Sequence, residues 1–477
     1  MRAVSLVIGV PQETAPGERR VAMVPRAFAA LQKSGAELLL EPGAGEASGY
    51  PDAEYVDKGA RLAAGRDELF AAADVLLFVR VPGTWQQAAP AAATGSSSPG
   101  TATAASPATA AAAGTSSPAD PDLARLRPGQ LLIGFADPLA LPAASRELAA
   151  RGVSAFAMEL MPRITRAQGM DALSSMATLS GYKAVLLAAD TLPRLFPMLM
   201  TAAGTVTPAR VLVIGAGVAG LFAAATARRL GAVVSAYDVR PASREQVESV
   251  GAKFLSLPLE SGGSEDRGGY AKEMDAEFYR RQRELMTGAV REHDVVITTA
   301  AVPGKRAPVL VTRDMVAGMA PGSVIVDLAA ERGGNCELTR PGETVVEHGV
   351  TIHGPLNLPA TVPYHASQLY ARNVASFLGH LLRDVKPAER PAGADPAAIP
   401  IDTGDEITRE TLIARGGEVV HERVRQLLGL APPPAAAAPA GSQQSPAASA
   451  PPPSPASPSS PPPPSAAGAP APLPRGA

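Results

Sequence analysis

A chain of 477 residues with 43 basic and 45 acidic side chains carries a formal net charge of −2, which gives no electrostatic footprint for nucleic acid or an anionic lipid surface. Aromatic residues make up 4%, too few for base-stacking platforms, while a hydrophobic share of 46% suffices for one or two large cores. One cysteine, Cys336, excludes an intrachain disulfide and suits a reducing compartment.

The opening MRAVSLVIGVPQET reads as a strand entering a turn, without the charged and apolar regions of a secretory signal, so secretion is not expected. Residues 1 to 160 then alternate strand patterns (SLVIGV, ELLLE, DVLLFV, GQLLIGF, VSAFAM) with helix patterns (PRAFAALQKSG, DELFAAA, ASRELAARG). That alternation predicts a parallel sheet covered by helices on both faces. It is interrupted from Ala88 to Ala119, where only Ala, Ser, Thr, Gly and Pro occur; such a segment buries too little apolar surface to offset its ordering entropy and reads as a disordered insertion.

A long helical pattern, SSMATLSGYKAVLLAADTL, leads onward, and the apolar stretch from Ala184 to Ala203 is broken by Asp190, Pro193, Arg194 and Pro197, so no direct membrane span is expected. Strand patterns VLVIG, VVSAY, AKFLSL, DVVITT, SVIVDL and VTIHG follow and predict a second sheet of the same kind. The expected class is therefore α/β, with two doubly wound Rossmann-like parallel-sheet domains flanking a cleft and a ligand at the carboxyl ends of the second sheet's strands. YHASQLYARNVASFLGHLLRD leads back toward the first domain, and DEITRETLIARGGEVVH predicts a hairpin around Arg415-Gly416-Gly417. The expected boundaries are 1–179 for the first domain, 180–362 for the second, 363–430 for the return helix and hairpin, and 431–477 for a disordered tail rich in Pro, Ala and Ser.

Residues 211 to 240, VLVIGAGVAGLFAAATARRLGAVVSAYDVR, hold a strand, a glycine turn, a helix, a second strand and an acidic terminus in register. Gly215 permits the tight turn, Gly217 removes the side chain that would keep a pyrophosphate from the backbone, and Gly220 lets the helix pack on the sheet. Val218 in the turn is a further candidate cofactor contact, and the unpaired N–H groups of the following helix suit an anion. Asp238 stands where a carboxylate accepts both ribose hydroxyls and repels a 2′-phosphate, which favours NAD. Val239 and Arg240 complete this edge. The Arg240 guanidinium could accommodate a 2′-phosphate, or the pair could neutralise itself, since residues two apart on a strand share a face.

Five segments, GVPQET…GERRVAMVP, PRITRAQGMDALSSMATLSGYKAV, GAGVAG with AYDVRP, GGYAKEM and VIVDLAAERGGNCE, resemble the alanine dehydrogenase and transhydrogenase family. Within it the match is similar to the NAD(H)-binding α subunits (domain I) of proton-translocating NAD(P) transhydrogenases, over most of residues 1 to 425. The resemblance implies that Arg163, Gln168, Asp171 and Ser174 surround the nicotinamide and its ribose, with Arg163, Gln168 and Asp171 orienting the ring for hydride transfer. It implies that Tyr270, after two glycines, belongs to a loop that folds over bound nucleotide. NAD(H) would bind this chain and NADP(H) a partner chain. Membrane-embedded subunits, homodimerisation, and a cytoplasmic, peripheral position at the inner face of the plasma membrane follow from the same resemblance; no metal site and no nucleic-acid partner are expected.

Alanine dehydrogenases place a lysine and a histidine in the cleft, whereas the corresponding stretches here read LLFVRVPGTW and LIGFADPLA, with Arg80 near the lysine's place and no histidine before His293. Reductive amination needs an acid/base close to the reacting carbon. Hydride transfer between two nicotinamides needs only two rings held face to face and water excluded. Gln168 can hydrogen-bond a ribose hydroxyl or carboxamide, and Arg163 with Asp171 can form a pair that fixes the loop. Glu331, before Arg332-Gly333-Gly334, matches an acidic residue of the alanine dehydrogenases and keeps an amino-acid dehydrogenase as an alternative. A non-catalytic NAD-binding module is a third.

Overall fold

The computed structural model describes residues 6–32, 35–85, 120–258, 274–301, 304–383 and 400–432. The insertion expected at 88–119, Tyr270 and the segment from 433 onward lie outside the described residues.

Short apolar runs build the first sheet: β1 (Val7–Val10), β2 (Glu37–Leu40), β3 (Arg61–Leu62), β4 (Val75–Arg80), β5 (Leu131–Phe135) and β6 (Ser154–Ala157), all parallel. In β4, Val75, Leu77 and Val79 enter one apolar core while Leu76 and Phe78 enter another. This is the alternation of a strand covered on both faces. Helices α1 (Pro25–Leu31) and α2 (Asp52–Val56) contribute Phe28, Leu31 and Tyr55 to the first core. Helices α3 (Arg66–Ala72), α4 (Pro121–Arg125) and α5 (Pro142–Ala150) contribute Leu69, Phe70, Leu123 and Leu148 to the second. The short elements α2, β3 and α4 were not expected from the sequence, because none is long enough to show a period.

Helix α6 (Ala172–Thr191) joins the two sheets, with Ala172 and Met176 in a core of the first and Ala184, Val185 and Ala188 in a core of the second. Among the described residues it is the one helix long and apolar enough to cross a membrane, with a mean hydropathy of 1.2. Its apolarity is explained by serving two cores at once. A hairpin of β7 (Leu199–Thr201) and β8 (Gly204–Val206) follows, with Leu199, Met200 and Val206 exposed.

The second sheet contains β9 (Arg210–Ile214), β10 (Val233–Tyr237), β11 (Lys253–Phe254), β12 (Val295–Thr298), β13 (Val324–Asp327), β14 (Thr344–Glu347) and β15 (Val350–His353). Its order is β11-β10-β9-β12-β13-β15-β14, parallel except for the edge strand β14. The chain runs from β9 to one side and returns on the other, which leaves a crevice at the carboxyl end of β9, where such sheets bind ligands. Helix α7 (Val218–Arg229) covers one face together with α6; α9 (Ala276–Arg291) and α10 (Arg313–Ala317) cover the other, while α8 (Ser243–Ser249) follows β10.

Helix α11 (Pro363–Leu381) returns to the first sheet and buries Tyr370, Val374 and Phe377 in its core. After α12 (Glu406–Thr411), strand β16 (Leu412–Arg415) pairs antiparallel with β6 and forms a hairpin with β17 (Glu418–Val419), and α13 (Glu422–Leu427) closes the described chain. Gly416 and Gly417 both have positive φ, 58° and 86°, the requirement of a type I′ turn. The architecture is thus the expected pair of doubly wound α/β sheets.

Candidate functional site

The carboxyl ends of β9 and β10 and the turn after β12 face those of β4 and β5 across a cavity of about 510 Å³. Gly215, Gly217, Val218, Asp238, Val239 and Arg240 line it from the second sheet; Arg20, Arg80, Asp137, Glu159, Arg163 and Ser174 line it from the first.

The three glycines of the turn have different physical reasons. Gly215 has φ of 100°, and a Cβ there would lie 2.6 Å from Thr299 Oγ1. A Cβ on Gly220 would lie 1.8 Å from the Gly215 carbonyl oxygen, so only glycine lets α7 approach the strand. At Gly217 nothing lies within 4 Å of the Cβ position, which leaves an open hollow before the first turn of α7. That hollow, with unpaired helix N–H groups behind it, fits a pyrophosphate.

Asp238 is 9% exposed, and its carboxylate is engaged on both oxygens. Oδ2 accepts from the Ala216 amide at 2.7 Å, and Arg240 donates from Nε to Oδ1 and from Nη2 to Oδ2, each at 2.9 Å. Of the two readings of Arg240, the structure displays the self-neutralising pair.

Asp171 caps α6: its Oδ1 accepts the Ser174 amide at 2.9 Å and its Oδ2 the Ser174 hydroxyl at 2.6 Å. Gln168 is exposed on the 3-10 turn Thr165–Met170. That turn is tied to the C-terminal return by Asn373 Nδ2 donating to Gly169 O at 2.9 Å and by Arg166 pairing with Asp405 at 2.7 Å. Arg163 and Ser174 line the cavity, while Gln168, Asp171 and Gly220 are not among its lining residues.

Sequence reasoning missed a group of buried charges. Glu18 and Arg20 form a two-pronged pair at 2.5 and 2.7 Å, and Asn357 bridges them, donating to Glu18 at 2.9 Å and accepting from Arg20 at 3.0 Å. Burial alone would raise the Glu18 carboxyl; the Arg20 hydrogen bond and charge outweigh it and hold the group below its ordinary value. Glu13 accepts the Val79 and Arg80 amides at 2.5 and 3.1 Å, and burial, reinforced by Glu18, pushes its pKa up to about 8. Glu159 accepts the Ala136 amide at 2.8 Å and the Asp137 amide through Oε1, and burial raises it to about 7. Arg332 reaches across from the second sheet to Asp137 at 2.7 Å. The one available signal was GERR directly before an apolar run, charges too close to the core to be solvated.

The loop carrying Arg332 is fixed by Asp327, fully buried, which accepts from Thr298, Thr339 and the amides of Ala329, Asn335 and Cys336 at 2.6 to 3.0 Å. Burial raises the Cys336 thiol to about 11, which keeps it protonated and unreactive at neutral pH. Among the described residues no cluster of His, Cys, Asp and Glu is arranged to hold a metal. Among the described residues the cavity lining contains neither histidine nor lysine.

The sequence matches the family models "Alanine dehydrogenase/PNT, N-terminal domain" over residues 9–94 and 92–180 and "Alanine dehydrogenase/PNT, C-terminal domain" over 184–422. The chain belongs to the alanine dehydrogenase/PNT family. It is 42% identical over 416 residues to the first portion of the NAD(P) transhydrogenase subunit alpha of Rhodospirillum rubrum, a match that covers 87% of this chain and 97% of that protein. It is 38% identical over 417 residues to NAD(P) transhydrogenase subunit alpha of Haemophilus influenzae, covering 87% and 72%. Alanine dehydrogenase of Mycobacterium tuberculosis is 32% identical over 363 residues, covering 75% and 82%. A solved transhydrogenase from Sinorhizobium meliloti superposes with a TM-score of 0.67 at 38% identity, covering 87% of this chain and 99% of that one. Within the family, the chain is an enzyme of the NAD(P) transhydrogenase α-subunit branch.

Proposed function

We propose that this chain is the NAD(H)-binding subunit of a proton-translocating transhydrogenase and passes hydride between NAD(H) on its own cleft and NADP(H) on a partner subunit. In this reading it is a homodimer that docks on membrane-embedded subunits at the cytoplasmic face of the plasma membrane. The observation that carries the proposal is that the open hollow at Gly217 and the residues Arg163 and Ser174, from opposite sheets, share one cavity. Gly215, Gly217, Val218 and the first turn of α7 would hold the pyrophosphate, Gly220 allowing that turn to close. Asp238 would hold the adenosine ribose, with Val239 and Arg240 at the same edge. Arg163, Gln168, Asp171 and Ser174 would orient the nicotinamide, with Tyr270 covering the nucleotide. Residues 1–179 together with 363–430 would make one domain and 180–362 the other. Bound NADH supplies the hydride; the chain's residues hold, orient and dry it.

Because Arg240 closes on Asp238, ribose binding must move a guanidinium aside. Asp238→Ala should weaken NADH binding by about 1–3 kcal/mol, the scale of hydrogen bonds to a charged group, and free Arg240 to narrow the margin against NADPH. Fluorescence titration with both nucleotides measures this; an unchanged NADH affinity would exclude the ribose role.

Gln168→Asn shortens the side chain without changing charge. If this amide orients the ring, hydride transfer should fall about a hundredfold for a displacement of roughly 1 Å, while NADH affinity, dominated by the other end of the nucleotide, changes far less. Stopped-flow transfer to an NADP(H)-loaded partner, beside equilibrium binding, is the test. Wild-type rates, or rate and affinity falling in proportion, would sink the proposal.

A second reading, an amino-acid dehydrogenase, draws on Glu159, a cleft-lining carboxyl raised to about 7 and so poised for acid/base work. NADH oxidation by the purified chain with pyruvate and ammonia would favour it.

A further inference from the structure

Beside the contact of Glu18 and Arg20 with Asn357, two turns from different sheets meet at the cavity: the one after β5 and the one after β13. Arg332 Nη2 donates to both carboxylate oxygens of Asp137, at 2.7 and 2.8 Å. Both residues line the cavity, and each side chain is 31% exposed.

The backbone on either side is built for this contact. Asp137 has φ of 44°, in the left-handed region that aspartate tolerates better than most residues. Its amide and that of Ala136 are held by Glu159 Oε1, and its carbonyl accepts from Ala140 and Leu141. Opposite, Gly333 has φ of 91°, and the Arg332 carbonyl accepts the Ala307 amide at 2.8 Å. The same two regions touch once more where a Cβ on Gly304 would lie 2.8 Å from Leu139 Cβ, an approach glycine permits.

We infer that Asp137 and Arg332 are positioning residues that hold the two halves of the nucleotide site at one separation. This rests on the proposed function, in which those halves are the glycine turn and the Arg163–Ser174 segment. The pair joins the two turns directly at the cavity, so its mechanical effect falls on the width of the cleft. Hydride transfer depends steeply on that width; affinity anchored on one wall does not. A single nitrogen makes the bridge, so a lysine ammonium at 332 can replace it and a neutral amide cannot.

The test uses the full-length chain with Arg332→Gln, Arg332→Lys, Asp137→Asn and the double variant D137N/R332Q. Nitroxide labels go on E147C and E284C, exposed positions on α5 and α9, while the buried Cys336 stays unlabelled. Pulsed spin–spin distances should lengthen and broaden in R332Q and D137N but not in R332K. Hydride transfer to an NADP(H)-loaded partner should fall about tenfold or more in the same two variants, with NADH affinity and thermal midpoint nearly unchanged. The double variant should match the singles, as partners in one contact do. Unchanged distances, or a double variant losing the product of the two single losses, would overturn the inference. A rate loss without a change in distance would mean direct contact with the nucleotide and would overturn it equally. If the wild-type chain neither binds NADH nor transfers hydride, the functional reading fails, and the distances alone decide the role of the pair.

Discussion

Gly217→Ala is expected to abolish NADH binding while leaving the thermal midpoint where it was, and Gly220→Ala is expected to damage both. The two positions are three residues apart, yet their surroundings differ completely. At Gly217 the backbone has φ of −75°, suitable for any residue, and a Cβ would meet nothing within 4 Å. An added methyl therefore costs the fold almost nothing and fills the hollow that the proposed function gives to the pyrophosphate. At Gly220 a Cβ would lie 1.8 Å from Gly215 O and 2.9 Å from its carbonyl carbon, both backbone atoms of the strand-to-helix turn. Those atoms cannot rotate aside, so α7 must shift, at the cost of about 1–3 kcal/mol or more that overpacked sites show. Calorimetry beside NADH titration separates the cases. Full NADH affinity in Gly217→Ala would show that nothing charged and bulky uses that hollow.

Glu13→Gln should make the protein more stable at pH 8 than the wild type. Burial raises the folded-state pKa of Glu13 from 4.5 to about 8, and that of Glu159 from 4.5 to about 7. Below pH 4.5 folded and unfolded chains are both protonated at these positions, and neither carboxyl costs anything. Above it the unfolded chain releases the proton while the folded chain keeps it, so stability falls with rising pH, by up to about 1.4 kcal/mol per pH unit and per group. The fall ends near pH 7 for Glu159 and near pH 8 for Glu13. Glutamine removes the ionisation and keeps an oxygen for the Val79 amide, giving up the longer Arg80 contact that the second Glu13 oxygen accepts at 3.1 Å. Urea midpoints from pH 5 to 9 for the wild type, Glu13→Gln and Glu159→Gln provide the measurement. The difference from wild type isolates each carboxyl from His293, His353 and His421, whose pKa values burial depresses and whose cost falls on the acid side. Parallel curves would show that Glu13 is solvated or paired in solution.

The parts of this architecture legible in the sequence are those whose determinants are local. The strand β4 is an unbroken apolar run between turn residues, and the β9–α7 turn needs glycine at fixed offsets for steric reasons within one unit. The hairpin at Gly416-Gly417 is legible because two positive φ angles leave few other residues possible. The strand β14 and the hairpin β7–β8 escaped, since short exposed edges carry no alternation strong enough to register. The site's inner charges escaped for a different reason: Arg20 meets Asn357, and Asp137 meets Arg332, only after the fold has joined segments 337 and 195 residues apart. Asp171 shows a third limit. Its residue type did not show that it caps α6, where its carboxylate accepts the Ser174 amide and hydroxyl.

Pairing of β16 with β6, Leu412 opposite Phe156, means that the first sheet is completed by the last described strand pair of the chain. A nascent polypeptide leaving the ribosome therefore has everything needed for the second sheet, which ends at His353, before it can finish the first. During that interval β6 is an open edge with unpaired amides and carbonyls, and the core that awaits Tyr370 and Phe377 is uncovered. Synthesis that stops anywhere between β15 and β16 would release a chain whose glycine turn is intact and whose first sheet is adhesive. Such a fragment would be a target for chaperones and proteases even though its glycine turn had folded.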